Sequence, residues 1–322
     1  MVITQSLLKV IKNRNPSEEI DVIAPDWSKP LLDLMPEAHD AIPMPAEHGQ
    51  LALGLRWDIG RGLRKKNYDR AIVIPRSYKS AIVPFVARAK RRTGFLGELR
   101  WGLLNDIRRL EQKSVYRIVD RFISLALDPG ENMPKTIPEP SFQIQENHAI
   151  SISRRLGEEV SKAPTLGICP GAEYGPAKRW PEKYFSTVAN KKIDEGWKVW
   201  LFGSSKDAVI TKKIQAMTQD RCLDLAGRCS LNESIHMMSL TSAVVTNDSG
   251  LMHVAAALGK YTIAIFGSTD PLHTPPLSQK TKVLYLGLPC SPCFKRECPL
   301  KHLKCLKDLS PEQALNSLQN IE

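Results

Sequence analysis

Apolar runs that stop at small polar residues recur along the second half of the chain. The run 244–247 is rich in β-branched residues and ends at the small polar residues 248–250, where an apolar segment closed by Gly259 begins. The run 262–266 likewise ends at a polar turn before Pro271. These patterns predict buried strands, each followed by a tight turn, and a helix after the first.

Strand and helix patterns alternate over most of the chain. Further strands are predicted at 19–24, 68–74, 165–169, 198–202 and 282–286. Helices are predicted at 4–12, 80–90, 115–127, 181–195, 206–217, 231–240 and from Ser310. Strands that alternate with helices imply an α/β protein with parallel sheets covered on both faces. Four prolines between residues 128 and 140 predict the connection between two domains.

Length and composition narrow the class of protein. The 322 residues suffice for two ordinary domains, and no stretch approaches the 18 apolar residues of a membrane span. The N-terminus lacks a secretory signal, so the seven cysteines are expected to be reduced thiols or metal ligands in a cytoplasmic protein.

The positive charge is concentrated in one region. The net charge is +11, and residues 56–121 hold 18 Lys/Arg against 6 Asp/Glu. Solvated helix faces are the ordinary explanation, and nucleic acid is a possible partner. Because no nucleic-acid-binding motif accompanies the charge, we favour an anionic membrane surface or a phosphorylated glycolipid. The segment 91–95 is taken as part of this basic surface.

The polar turns after the strands are candidate phosphate sites. At the start of the predicted helix, Asp248 offers a carboxylate, and Ser249, Gly250 and Leu251 offer backbone N–H groups. A cap for the helix is the alternative role of Asp248. One turn later, His253 can add an N–H donor or a protonated imidazole, or can be structural.

A lysine in a second turn is also a candidate phosphate-binding residue. Lys178 lies in a Gly- and Pro-rich loop after the strand 165–169 and just before Trp180-Pro181. There it can meet a phosphate as a point charge, or it can be an ordinary surface lysine.

Several long motifs resemble those of one family, the bacterial heptosyltransferases of glycosyltransferase family 9. They are Asp-Ser-Gly-Leu-Met-His at 248–253, Phe-Gly-Ser-Thr-Asp-Pro at 266–271, and the stretches 169–181, 201–204 and 102–106. The resemblance covers nearly the whole chain. It implies a GT-B fold, in which two Rossmann-like domains with parallel sheets face each other across a cleft. We expect an acceptor-binding domain at 1–150. An ADP-heptose-binding domain, with a cysteine-containing tail and a C-terminal helix, is expected at 151–322.

The resemblance also implies roles for single residues. Lys178 would contact the donor phosphate and Asp248 the hydroxyls of the donor sugar, and both are the catalytic candidates. The remaining donor-site candidates are Gly203, Ser204, Cys229, Ser249, Gly250, Leu251 and His253. On the acceptor side, the basic and polar side chains of Arg76, Ser77, Lys79 and Arg92 suit carboxylates and phosphates, although ordinary surface charge explains each one equally well.

The activity implied is an inverting transfer of heptose from ADP-heptose to the heptosyl-Kdo2-lipid A inner core of lipopolysaccharide. We expect it at the cytoplasmic face of the inner membrane of a Gram-negative bacterium, by a monomer. The chain contains no Asp-x-Asp, so no metal cofactor is expected. An alternative is a family member of type I or III, which differs in acceptor.

The first residues raise a second alternative. Met1–Leu7 resembles the start of a helix, whereas family members have a strand and a glycine turn with an acidic residue, the expected general base, before this point. We therefore expect an N-terminally incomplete first domain. The alternative is a donor-binding protein that is inactive because it lacks the base.

A cysteine cluster near the C-terminus is a weak candidate for a metal site. Four cysteines have the spacing C-x2-C-x4-C-x6-C; they are Cys290, Cys293, Cys298 and Cys305. The first pair suits structural zinc, but the second spacing is loose, and free thiols are favoured. Together with the charge, this cluster leaves a zinc-dependent nucleic-acid binder as a third hypothesis.

Overall fold

The computed structural model describes residues 1–47, 49–110, 116–158 and 163–319. The chain divides into two compact units. The N-terminal unit comprises residues 6–32 and 37–138, and the C-terminal unit comprises residues 1–5, 33–36 and 139–322. The division thus falls after Pro138, within the proline-rich connection, whereas the sequence placed it at 150.

The N-terminal unit contains short parallel strands in two sheets. In chain order they are β1 (Asp21–Ala24), β2 (Asp40–Pro43), β3 (Arg70–Val73), β4 (Arg91–Phe95) and β5 (Asp106–Arg108). β1 pairs with β2, and the other sheet has the order β3-β4-β5. Arg70 lies opposite Arg91 in the β3–β4 register, so the strands end at the same edge.

Two predictions for this region are wrong. The segment 91–95, taken as basic surface, is the inner strand β4, and the predicted helix 80–90 is reduced to five residues after a 3₁₀ turn at Tyr78–Ala81. Two arginines and a glycine hide the strand pattern, and pairing with β3 and β5 overrides the weak local preference. The helices up to residue 138 are α1 (Thr4–Arg14), α2 (Lys29–Leu32), α3 (Leu53–Leu63), α4 (Ile82–Val86) and α5 (Ile118–Ser124). The predicted helix 115–127 is shorter, and its first residue lies outside the described residues.

The C-terminal unit is built on a parallel sheet with the order β11-β10-β9-β6-β7-β8. Its strands are β6 (Thr165–Cys169), β7 (Lys198–Leu201), β8 (Leu223–Asp224), β9 (Ala243–Asn247), β10 (Tyr261–Ile265) and β11 (Thr281–Leu284). Its helices are α6 (Glu146–Arg155), α7 (Glu182–Asp194), α8 (Ala208–Met217), α9 (Leu231–Ser239), α10 (Gly250–Ala257), α11 (Lys304–Lys307) and α12 (Pro311–Ser317). Five of these strands (β6, β7, β9, β10 and β11) and the helices α7, α8, α9, α10 and α12 follow the predicted pattern closely, whereas β8, α6 and α11 were not predicted.

Both faces of this sheet are covered, which explains its continuous apolar runs. Every residue of β6 and of β9 is buried. Along β10, Ile263 and Ile265 pack in one cluster with residues of α7, α8 and α12, whereas Ala264 packs with Met252 of α10. Alternate residues of a strand point to opposite faces, so helices lie on both sides of the sheet.

The helices are all short. In the described ranges, no helix is long and apolar enough to cross a membrane.

Candidate functional site

Three neighbouring strands of the C-terminal sheet end in side chains that meet. β10, β9 and β6 are adjacent and parallel, so their carboxyl ends lie at the same edge. The Lys178 Nζ atom, from the loop after β6, lies 2.6 Å from Asp248 Oδ2, which directly follows β9. From the turn after β10, the Thr269 hydroxyl donates to the same carboxylate oxygen at 2.5 Å. The structure therefore brings Lys178 and Asp248 together with Thr269, which the sequence places either in the donor pocket or in the turn before Pro271.

Asp248 is not the cap of α10. The N-cap residue is Ser249, which has extended dihedral angles, and Gly250 begins the helix. The backbone N–H of Asp248 donates to the Ile265 carbonyl at 3.0 Å, and its side chain is only 5% exposed. The Asp248 carboxylate therefore faces Lys178 and Thr269, while the first N–H groups of α10 have no acceptor within the helix.

The loop that carries Lys178 is held by its backbone and by one large side chain. Gly175 has φ 149°, and a Cβ atom at this position would lie 2.6 Å from the Arg296 carbonyl oxygen, so the close approach requires glycine. Ala177 donates its N–H to that same carbonyl at 3.0 Å. Trp180 is 1% exposed, and its indole N–H donates to the Leu309 carbonyl at 2.9 Å. The loop is thereby fixed at Gly175 and Ala177 on one side of Lys178 and at Trp180 on the other.

Asn247 is a site-forming residue that the sequence analysis missed. Its side-chain oxygen accepts the Trp180 backbone N–H at 3.0 Å, and its side-chain nitrogen donates to the Pro170 carbonyl at 2.7 Å. All these atoms are buried, so Asn247 joins both ends of the Lys178 loop to β9. An amide at the end of an otherwise apolar, fully buried strand was the available signal, because buried polar side chains require partners.

The predicted donor residues after β7 form a tight turn beside this site. Ser204 caps the turn before α8, since its N–H and its hydroxyl both donate to Asp207 Oδ2, at 2.9 and 2.8 Å. A Cβ atom at Gly203 would lie 2.8 Å from that of Asp207, so the turn requires glycine there. Gly227 donates its N–H to the Gly203 carbonyl at 3.1 Å, which brings the Cys229 loop to the same edge.

His253 lies in the first turn of α10 and is half-buried. Burial lowers the pKa of His253 to about 4, and the opposing attraction of Asp248 does not offset this effect. The imidazole is therefore neutral at pH 7. Of the two forms considered from the sequence, the neutral N–H donor is favoured over the protonated imidazole.

The predicted acceptor residues Arg76, Ser77 and Lys79 follow the carboxyl end of β3. Lys79 Nζ donates to the Gln50 carbonyl at 2.8 Å. Beneath them, the fully buried Arg100 donates to the Pro75 carbonyl at 2.7 Å and also to the Phe95 carbonyl. Sequence reasoning missed Arg100, which ties the ends of β3 and β4 together.

The fourth acceptor candidate lies apart from the other three. Arg92 pairs with Ala71 near the amino ends of β4 and β3, away from the edge that Arg76 follows. Its guanidinium donates to the Leu103 carbonyl at 2.7 Å and to the Ala89 carbonyl at 2.6 Å. The Arg92 side chain therefore binds backbone carbonyls. It does not lie at the sheet edge that Arg76 and Lys79 follow.

The cysteine cluster does not form a metal centre in the described part of the chain. No three His, Cys, Asp or Glu side chains there form a group that could hold a metal ion, so the zinc candidate is unsupported. The thiols are free but differ in character. Backbone N–H groups of residues 300–303, that of Leu303 most strongly, lower the pKa of Cys298. Burial and the neighbouring cysteines raise the pKa of Cys305 to about 11.

We expect Cys298 to be the thiol of this cluster that iodoacetamide modifies first at neutral pH. The thiolate is the form that reacts, and a lowered pKa raises the fraction of Cys298 that is thiolate at pH 7. Peptide mapping by mass spectrometry across pH 6–9 would measure the rates, with Cys229 as the reference because burial raises its pKa. Cys298 should reach half of its maximal rate at the lower pH. Equal midpoints would contradict the assignment.

Comparison with solved structures defines the class of fold. The chain matches the structure of E. coli ADP-heptose lipopolysaccharide heptosyltransferase II with a TM-score of 0.88 and 40% identity, covering 100% of this chain and 94% of that one. It also matches E. coli heptosyltransferase WaaC with ADP, with a TM-score of 0.73 at 18% identity, which supports the fold alone. The predicted α/β fold of the GT-B class, with parallel sheets in two Rossmann-like units, is confirmed.

The family follows from the sequence comparisons. Residues 56–304 match the model of glycosyltransferase family 9 (heptosyltransferase). The chain is 42% identical to lipopolysaccharide heptosyltransferase 2 of Escherichia coli over 330 aligned positions, which cover 100% of this chain and 94% of that protein. The chain therefore belongs to glycosyltransferase family 9, and the protein is a glycosyltransferase. The predicted resemblance is confirmed.

Proposed function

We propose that this protein transfers a heptose from ADP-heptose to the heptosyl-Kdo2-lipid A inner core during lipopolysaccharide synthesis. One observation carries the proposal: full-length similarity to type II heptosyltransferases of several bacteria coincides with Lys178, Asp248 and Thr269 meeting at the carboxyl edge of the sheet. In open α/β sheets, that edge is where ligands bind.

The proposed reaction is a single displacement with inversion. An acceptor hydroxyl oxygen forms the new bond to the anomeric carbon, the bond from that carbon to the diphosphate breaks, and ADP leaves with the electron pair. The hydroxyl proton passes to a base, which we do not assign. Negative charge grows on the diphosphate as the bond breaks, so the site must supply fixed cations and N–H dipoles. The sequence contains no Asp-x-Asp, and we propose a metal-independent mechanism.

The donor-side roles follow from charge and position. Lys178 meets the diphosphate, and Asp248 accepts hydrogen bonds from the hydroxyls of the donor sugar. The N–H groups of Ser249, Gly250 and Leu251, at the positive end of α10, complete the phosphate site. Lys178 and Asp248 already contact one another, so binding of donor replaces part of this ion pair with new contacts.

The roles of the other donor candidates are subordinate. His253 is proposed to donate one N–H to a phosphate. Gly203, Ser204 and Cys229 border the nucleotide through their backbone groups, because the Ser204 hydroxyl is already committed to Asp207. For the acceptor we propose Arg76, Ser77 and Lys79, because the cations of Arg76 and Lys79 and the hydroxyl of Ser77 suit phosphates and carboxylates of a core oligosaccharide.

A type I acceptor is the competing proposal. The type 1 heptosyltransferase of Pseudomonas aeruginosa is 32% identical, but over 50% of this chain and 46% of that protein. The type 2 enzyme of Haemophilus influenzae is 39% identical over 100% of this chain and 95% of that protein. The greater extent of the type 2 similarity favours the heptosylated acceptor.

A transfer assay followed by mass spectrometry tests the proposal. The purified protein is incubated with ADP-heptose and, separately, Kdo2-lipid A, heptosyl-Kdo2-lipid A or diheptosyl-Kdo2-lipid A. A gain of one heptose on the second acceptor supports the proposal. A gain confined to the first or the third establishes the type I or type III reaction instead. ADP-heptose binding without transfer to any acceptor would make the chain a donor-binding protein.

Two further readouts of the same assay test the chemical details. The anomeric coupling in the NMR spectrum of the product reports whether the configuration is inverted. Equal rates in EDTA and in Mg²⁺ are expected, and a large loss in EDTA that Mg²⁺ restores would contradict metal independence.

We also propose that an anionic membrane surface binds the N-terminal unit beside α3 and α4. A cavity of about 380 Å³ there is lined by the cations Arg64, Arg88, Lys90 and Arg92, with no carboxylate among its lining residues. The aromatic side chains of Trp57 and Phe85 line it too and are 49% and 42% exposed. Exposed aromatic rings among cations suit the interface of an anionic bilayer.

Trp57→Ala is expected to weaken binding to vesicles that contain phosphatidylglycerol by several-fold in a flotation assay, because a ring that inserts at the interface is lost. Trp27→Ala is the matched control, since Trp27 is 64% exposed and lies outside this cavity. Binding should fall as salt is raised and be weak on pure phosphatidylcholine. If the two variants bind equally, this surface is not the membrane contact.

A further inference from the structure

The cysteine loop, residues 290–298, is attached to both sides of the Lys178–Asp248–Thr269 site. On the Thr269 side, the Ser291 hydroxyl donates to the Gly267 carbonyl, and the Phe294 N–H donates to the Ser268 carbonyl at 2.7 Å. On the Lys178 side, the Phe294 carbonyl accepts the Tyr174 hydroxyl at 2.7 Å. The loop thus fixes the two turns whose side chains meet at Asp248.

One side chain of this loop shares an aromatic partner with Lys178. The Arg296 guanidinium carbon lies 5.4 Å from the centre of the Tyr174 ring, and Lys178 Nζ lies 5.0 Å from the same ring. The Arg296 backbone is held as well, because its carbonyl accepts the Ala177 N–H at 3.0 Å. One aromatic ring therefore contacts two cations, which are attracted to its π-system.

The charge balance leaves Arg296 available for an anion. Lys178 is paired with Asp248 in the free protein, which offsets part of its charge. Arg296 is exposed, and among the described residues it forms no salt bridge. Lys206 lowers the pKa of Glu173 most, and Arg179 and then Arg296 add smaller contributions, so the charge of Arg296 acts on the loop that carries Lys178. A leaving diphosphate carries more than one negative charge, and one half-neutralised lysine does not balance it.

We propose that Arg296 is a second cation of the donor site, which Tyr174 and the cysteine loop hold beside Lys178 so that it binds the terminal phosphate of the diphosphate. This inference rests on the proposed function, since it assumes a nucleotide diphosphate sugar at the sheet edge. Arginine suits the role because its planar fork binds two phosphate oxygens at once, which lysine cannot do.

Calorimetric titration of the full chain with ADP and with AMP tests the proposal directly. Arg296→Ala should weaken ADP binding by about tenfold or more, the loss expected when charge-assisted hydrogen bonds are removed. AMP lacks the terminal phosphate, so its affinity should change much less. Arg296→Lys should restore part of the ADP affinity. Lys295→Ala is the matched control, an exposed cation at the preceding position, and should bind ADP as the wild type does.

The outcomes separate this inference from the proposed function. If the wild type binds ADP and Lys178→Ala weakens binding but Arg296→Ala does not, the second cation is refuted and the donor site stands. If Arg296→Ala weakens ADP and AMP equally, Arg296 does not contact the terminal phosphate, and the proposal also fails. If the wild type does not bind ADP, the proposed function fails with it. In the transfer assay, Arg296→Ala should raise the KM for ADP-heptose and leave the acceptor KM unchanged.

Discussion

Replacing Lys178 by alanine is expected to reduce kcat/KM for heptose transfer by about 10³-fold, the effect of removing a preorganised charge from a developing anion. Lys178 Nζ lies 2.6 Å from Asp248 and is 14% exposed, so the substitution removes a fixed and largely buried charge. The affinity for ADP should fall as well, because the charge acts on the diphosphate before and during bond breaking. Steady-state kinetics with ADP-heptose, together with ADP titration, would measure both effects.

Two variants control this experiment. Lys212→Ala removes an exposed lysine of α8 in the same unit and should leave transfer unchanged. Lys178→Arg keeps the charge but changes its shape and should retain part of the activity. Unaltered ADP affinity and transfer in a folded Lys178→Ala protein would remove Lys178 from the donor site.

Replacing Asn247 by alanine is expected to give the largest loss of stability. The change removes two buried hydrogen bonds and leaves the Trp180 N–H and the Pro170 carbonyl without their partner. A buried polar group left unsatisfied costs about 1–3 kcal/mol, so we expect about 2–5 kcal/mol in total. The melting temperature should fall by roughly 5–10 °C. Thermal melts followed by circular dichroism would measure it.

Asn247→Ala should also weaken donor binding, because it displaces the Lys178 loop and removes no group that contacts the substrate. Asn247 holds both ends of the Lys178 loop, so Asn247→Ala should raise the KM for ADP-heptose in protein that remains folded at low temperature. Asn316→Ala, at an exposed position of α12, is the matched control and should change neither the melting temperature nor the kinetics. A melting temperature within about 1 °C of the wild type would show that solvent or neighbouring groups replace the amide.

Local sequence patterns predicted most of the strands and helices of the C-terminal unit. The apolar run of β9, the polar turn after it and the helix α10 are each properties of consecutive residues, and the structure has them where the pattern predicts. The same reasoning failed for β4, because Arg91, Arg92 and Gly94 give no alternating or apolar signal. That strand exists because β3 and β5 offer hydrogen-bond partners on both sides, which no window of the sequence contains.

The α/β class, the strand–turn–helix units and the small polar residues at the strand ends can be predicted from the sequence, because they follow from periodicity and turn chemistry over a few residues. Which strand ends are neighbours depends on the tertiary structure. Lys178 and Asp248 are 70 residues apart, and Asn247 is 77 residues from the Pro170 carbonyl that it holds. These contacts arise from the order β10-β9-β6 in the sheet. That order is set by the packing of helices on both faces of the sheet, and it leaves no trace in local spacing.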